Sequence, residues 1–274
     1  VIGMHPSVGQ LKWDRKKGIR SDFVMTKDME DLIKTYEFLL KNDIEENDIS
    51  LERDKPTIAY TTQSPLGGEI SLDAKRAVED AVAFLNELGY NTKEVDYPVS
   101  GEETIKTFIT YLVTAAPKSD KYDQSEYDPL MWALAQTRDT LTSEDIQKAN
   151  ETRQKISNAM TEFHKQYPLF LTPTNAWPAP EADYVAAPEK LQRQMKDMSQ
   201  LSSEEKLDLL YQQWLPGREK SPYAVLSNLA GSPAITLPTD ITNDRLPMGI
   251  MFQAAYGNDK YLLEMGRLFE EHQK

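Results

Sequence analysis

Apolar residues recur at helical spacing in several stretches of the chain. Between 26 and 40, Met29, Leu32, Ile33 and Tyr36 form one stripe, with Thr26 placed to cap the N-terminus and Asp28 in the first turn. Between 71 and 88, Ala74, Ala77, Val78, Ala81, Leu85 and Leu88 line one face, Asp73 sits near the start and Gly89 follows the end. Ser143 is placed to cap a long polar helix reaching about His164. Asn258 is placed to cap a last helix bearing Tyr261, Leu262, Met265, Leu268 and Phe269 on its face. Short β-type runs lie between these helices, at 57–61, 92–96, 169–171, 234–237 and 249–252. Strand 57–61, helix 71–88 and strand 92–96 have the lengths of a βαβ crossover, which lays a helix on a sheet face. The pattern predicts an α/β fold: a mixed sheet flanked by helices.

The stretch 98–222 differs. It is rich in Tyr, Gln, Glu, Lys and Asp and is helical wherever it is regular, and the polar run 186–203 predicts an exposed helical insertion or flap. The chain divides into sheet and helices over 1–97, a mostly helical segment over 98–222 that contains the 169–180 strand and Pro-rich loop, and C-terminal strands and helix over 223–274, all read as one domain. A length of 274 residues supports a real core, since such a unit buries roughly 75% of its unfolded surface. No apolar run approaches the roughly 20 residues of a membrane span.

Charge narrows the partners. Lys plus Arg number 31 and Asp plus Glu 44, giving 31 − 44 = −13. Phosphate backbones are bound by positive surfaces, so nucleic acid is not expected as a main partner. The acidic balance reads as a solvated surface of a bacterial-type protein. There is no cysteine, which excludes disulfides, thiolate metal sites and a cysteine nucleophile within these residues and leaves the compartment open. The three histidines, His5, His164 and His272, are far apart and read as surface residues, so neither a metal nor a cofactor is predicted. Gly67-Gly68 lacks the further glycines of a phosphate loop, and no Gly-x-Ser-x-Gly elbow is present. The pairs Glu45-Glu46, Glu102-Glu103, Glu204-Glu205 and Glu270-Glu271 read as solvated helix surface.

Two Pro-rich strand ends stand out: LTPTNAWPAP (171–180) and NLAGSPAITLP (228–238). Ligands of α/β sheets bind in crevices beyond strand ends, and proline holds such loops rigid. The plainer reading is that the prolines only stop strands.

These segments resemble the amidase-signature family. VIGMHPSVGQ (1–10) is similar to the family's apolar-Gly-Leu-Lys-Pro-Ser-x-Gly segment, and 21–40 resembles the helix after it, without the usual Gly-Pro pair. The strand–helix–strand unit of 55–97, FLTPT (170–174), SNLAGSPAITLP (227–238), LPMGIMFQ (246–253) and the final helix follow in the family's order. The match is poor over 98–165 and 181–220. The resemblance implies hydrolysis of carbon–nitrogen amide bonds by a serine nucleophile, a second serine in a cis peptide and a lysine base. In the family all three precede the Gly-Leu-Lys-Pro segment, here residues 1–9. The implied picture is a partial fold lacking its N-terminal part, with no catalytic residue in this chain and no activity alone.

Trp13-Asp-Arg-Lys-Lys17 stands where glutamyl-tRNA amidotransferase A subunits carry a Tyr-Gly element. A small-molecule amidase similar to 6-aminohexanoate-cyclic-dimer hydrolases therefore fits better. The A subunit of a tRNA-dependent amidotransferase and a non-catalytic binding domain are the alternatives. The implied partners are a small amide substrate in the full-length protein, the missing N-terminal part, and a second copy of the chain through edges exposed near Ile2. Substrate-binding candidates are Thr174, Asn175, Trp177, Tyr223 and Asn228, which together supply hydrogen bonds and apolar cover. The architectural reading has Thr172 and Thr174 ending a strand, Trp177 in the core and Asn228 capping backbone.

Overall fold

The computed structural model describes residues 1–13, 18–44, 47–121, 123–185 and 187–272. Glu45-Glu46 and residues 14–17 of the Trp13–Lys17 stretch lie outside the described residues, as does the first residue of 186–203. The strands are β1 (Ile2–His5), β2 (Met25–Thr26), β3 (Ile58–Tyr60), β4 (Thr92–Glu94), β5 (Leu169–Pro173), β6 (Ala234–Ile241) and β7 (Pro247–Ala254). The helices are α1 (Met29–Leu39), α2 (Leu51–Asp54), α3 (Leu72–Glu87), α4 (Gly101–Ala115), α5 (Pro129–Thr140), α6 (Ser143–Gln166), α7 (Glu189–Met195), α8 (Ser203–Lys220), α9 (Val225–Ala230) and α10 (Asp259–His272). All seven strands form one mixed sheet, ordered β2-β1-β6-β7-β5-β3-β4.

The expected βαβ unit is present: β3 and β4 pair in parallel with α3 between them. Each expected strand is found, and β6 and β7 extend further as a hairpin. Alternation along the strands sorts the sheet into two faces. Ile2, Met4, Ile58, Leu169, Leu171, Ile235, Leu237, Ile250 and Phe252 pack under the apolar stripes of α1, α3 and α10. Phe170 meets Phe163 of α6 and Tyr97, and Ala234 and Met251 belong to a smaller cluster with Ile70, Ala176 and Tyr223.

A second core, around Ile105, Ile109, Val113, Leu134, Met195, Met198 and Leu210, lies among α4, α5, α7 and α8. The run read as an exposed helical insertion over 186–203 is exposed at most of its described positions and carries α7, but it is anchored to this core. Met195 and Met198 are buried, and Gln136 fixes the turn between them by donating to Met195 O (3.0 Å) and accepting from Met198 N (2.8 Å). Polar composition hid two well-spaced methionines, which adapt to irregular core gaps.

Other expectations shift by a residue or more. Thr26 does not cap α1. The chain is still extended there, paired with Ile2, so Asp28 caps by accepting from Asp31 N at 2.9 Å. Thr142, not Ser143, caps α6, in a reciprocal box with Asp145. Asn258 precedes α10, but its side chain accepts from Asn47 Nδ2 at 2.7 Å rather than from the helix. His164 is not a surface residue. It continues the stripe of Ile156 and Met160 at four-residue steps and is 5% exposed. Its Nδ1 meets Tyr167 O at 3.0 Å, and burial pushes its pKa down to about 4. Ile2, expected near an exposed edge, is buried, since β1 has β2 on one side and β6 on the other.

Candidate functional site

Parallel β3, β4 and β5 end together at one edge of the sheet, at Tyr60, Glu94 and Pro173. The antiparallel ladder carries that edge across the molecule. Ile250 lies opposite both Pro173 and Leu237, and Gly3 lies opposite Thr236, so the N-terminal end of β1 points to the same edge. The other edge holds His5, Ala234, Ala254 and Leu169.

The loop after β5 leaves the first edge carrying Thr174, Asn175 and Trp177. Thr174 N donates to Gly249 O (2.9 Å), and its buried hydroxyl has no partner among the described residues. Gly249 lets the strand ends close: a Cβ there would stand 2.7 Å from Leu237 O and 3.1 Å from Thr174 Oγ1. Asn175 is exposed. Trp177 is half-buried. Its indole N–H donates to Glu69 O (3.1 Å) in the loop after β3, and Lys220 Nζ lies 4.4 Å above its ring. Ala176 N donates to Lys220 O and Ser71 N to Ala176 O, so the loops after β3 and β5 and the end of α8 form one connected rim.

Tyr223 is fully buried beneath this rim. Its hydroxyl donates to Gln63 O (3.2 Å), its ring lies 6.3 Å from Tyr97, and desolvation pushes its pKa up, which keeps the phenol a neutral donor. Tyr97 is partly buried, and desolvation pushes its pKa up as well. Asn228 is elsewhere. Its amide donates to Ile19 O (2.9 Å) and lies 3.3 Å from His5 Nε2, at the opposite edge of the sheet. The structure thus brings Thr174, Asn175, Trp177 and, below them, Tyr223 together, and separates Asn228 from them.

Sequence reasoning missed the supporting residues. Gln63 and Glu69 act through backbone carbonyls, which carry no side-chain signal. Ser7 and Asp259, buried and 252 positions apart, join through Ser7 N and Oγ to the Asp259 carboxylate at 2.9 and 2.5 Å and clamp the segment after β1 onto the start of α10. A cavity of about 700 Å³ opens among α4, α6 and α8, lined by Glu103, Lys106, Thr107, Asp145, Ser203 and Asp208, with no strand residue in its wall. Among the described residues no group of three His, Cys, Asp or Glu could hold a metal ion, and no helix is long and apolar enough to cross a membrane.

Known proteins share the fold. The amidase family matches residues 1–263. The chain is 36% identical over 286 residues to a lipoamidase of Enterococcus faecalis, a match that covers all of this chain and 39% of the lipoamidase. It superposes on 6-aminohexanoate cyclic dimer hydrolase complexed with substrate with a TM-score of 0.73 at 17% identity, covering 99% of this chain and 60% of that one. A bacterial aryl acylamidase of the amidase-signature enzymes gives 0.71 at 14% identity, with coverage of 98% and 58%. The chain therefore spans between about two fifths and three fifths of the length of the proteins it matches.

Proposed function

The chain belongs to the amidase family, and from that premise we propose that it is the C-terminal portion of a serine amide hydrolase, supplying one wall of the substrate cleft and none of the catalytic residues. The observation that carries this reading is the sheet register. The N-terminal end of β1 reaches the same edge as the C-terminal ends of β3 and β5. In the family the reactive serine loop runs into the segment that begins with β1, so that loop would arrive at the edge of the sheet that carries Thr174 and Trp177. Ligands of α/β sheets bind beyond the carboxyl ends of strands, which is this edge.

The roles follow from the chemistry of each group. The serine attacks the amide carbonyl, and backbone N–H groups hold the oxyanion. Trp177 offers a flat apolar wall and Asn175 an amide for the substrate, while the buried Thr174 hydroxyl lies behind them at the strand ends. Tyr223 positions the Gln63 loop, and Asn228 supports β1 from the far edge through Ile19 and His5. The substrate class favoured is a small amide with an extended aliphatic part, in keeping with the lipoamidase and the cyclic dimer hydrolase.

The test is an assay of the full-length protein against lipoamide, 6-aminohexanoate cyclic dimer and an acyl anilide, beside the 274-residue chain alone. Turnover of at least one amide by the full-length protein and of none by the chain is the expected result. Hydrolysis by the purified chain alone would overturn the division of labour proposed.

A further inference from the structure

The cavity among α4, α6 and α8 takes no part in the candidate cleft. The first turns of α6 and α8 meet beside it. Asp145 accepts from Thr142 N (2.9 Å) and Thr142 Oγ1 (2.8 Å) at the start of its own helix and from Ser203 Oγ (2.8 Å) at the start of the other. The space that opens against α4 is about 700 Å³, within the range of small-molecule sites.

One buried side chain in the wall is left open. On α4, Thr104 and Thr110 turn their hydroxyls back onto Ser100 O (2.7 Å) and Lys106 O (3.1 Å). Thr107 does not. It is 5% exposed, it lines the cavity, and its hydroxyl has no hydrogen-bond partner among the described residues. A hydroxyl withdrawn from bulk water without a partner costs free energy, so it calls for a bond from whatever fills the cavity.

The charge of the wall selects the occupant. The carboxylates of Glu103, Glu144, Glu204 and Asp208 line the cavity with neither a hydrogen bond nor an ion pair among the described residues. Of the two lysines in the wall, Lys106 is held by Glu102 at 2.8 Å and lies over the Tyr211 ring, which leaves Lys148 against an excess of carboxylates. No three acidic groups converge as metal ligands among the described residues, so the carboxylates supply a spread field. The wall has no aromatic ring of the kind that cages a quaternary ammonium, and Ala149 and Leu207 give it a small apolar part. A spread acidic field over a short apolar floor suits ammonium groups spaced along an aliphatic chain, each with three donors and no acceptor.

We propose that this cavity binds a linear aliphatic polyamine, with one ammonium donating to Thr107 Oγ1 and the others in the field of Glu103, Glu204 and Asp208. The site lies toward the start of α8 and the rim of the candidate cleft at its end. Asp208 and Lys220 are twelve positions apart, about 18 Å along a helix. A polyamine bound here does not compete with a substrate in the cleft, and the site does not rest on the amide-hydrolase reading.

The experiment titrates the full-length protein by calorimetry with spermidine, butylamine and magnesium chloride at physiological ionic strength. Spermidine should bind at least about tenfold more tightly than butylamine, and an equal concentration of magnesium should not displace it. Thr107→Val, of nearly the same shape, should weaken spermidine about tenfold, and Thr107→Ser should keep most of the affinity. Asp208→Asn should weaken it several-fold, while Glu162→Gln, near the other end of α6, should leave it unchanged. If Thr107→Val does not fold, Asp208→Asn set against Glu162→Gln decides. Absence of spermidine binding overturns the proposal, as does full affinity in a folded Thr107→Val. So does displacement by magnesium, or an equal loss in Asp208→Asn and Glu162→Gln, the signature of general attraction to a chain of net charge −13. Trp177→Ala should leave binding unchanged; a loss there would put the amine in the cleft and overturn the site.

Discussion

Replacing His164 with glutamine tests the packing of α6 against the sheet through the pH dependence of stability. The imidazole is buried, with Nδ1 on Tyr167 O, and its folded-state pKa lies near 4 against an ordinary 6.5. A basic group depressed in this way carries no penalty above its unfolded pKa, where both states are neutral. As pH falls below 6.5 the unfolded chain takes up a proton that the folded chain refuses, so stability is lost until about pH 4, where the loss levels off. The full gap of about 2.5 pH units corresponds to about 3 kcal/mol, and the part lost between about pH 7 and about pH 5 to about 2 kcal/mol. Urea denaturation of wild type and His164→Gln at those two pH values measures it. Carboxylates titrate alike in both proteins and cancel in the difference. Wild type should lose about 2 kcal/mol more than the variant on acidification. Parallel losses would show that His164 protonates freely when folded, and the buried placement would be refuted.

Gly249→Ala should destabilise the protein by about 1–3 kcal/mol, because its Cβ meets Leu237 O, which is backbone and has little room to give; thermal melts against Gly68→Ala, which has open space, provide the comparison. Asp259→Ala leaves the buried Ser7 N–H and hydroxyl without their acceptor and should cost about 3 kcal/mol by chemical denaturation, whereas Asp259→Asn should cost less. In the full-length protein, Trp177→Ala should raise KM several-fold with little change in kcat, since a flat wall contributes binding rather than chemistry; an unchanged KM would reduce Trp177 to an architectural residue.

Local pattern determined a good deal of this protein. Ser71 caps α3 where the apolar stripe begins, Gly89 follows its end in the left-handed region, and the spacing of 57–61, 71–88 and 92–96 became a parallel βαβ unit. These features depend on residues within a few turns of one another, so the sequence records them directly. The segments resembling the amidase-signature family likewise placed the chain before any coordinates. What only the tertiary structure decided depends on pairs distant in sequence. The insertion of β6 and β7 between β1 and β5 sets which strand ends share an edge. That ordering puts the start of β1 at the same edge as Thr174, two strands away, and leaves Asn228, in α9, at the far side with His5, although both belong to similar Pro-rich stretches of sequence. His164 ends a polar helix and Met198 is polar-flanked in sequence, yet both are buried in space, because burial is set by the opposing surface and not by immediate neighbours.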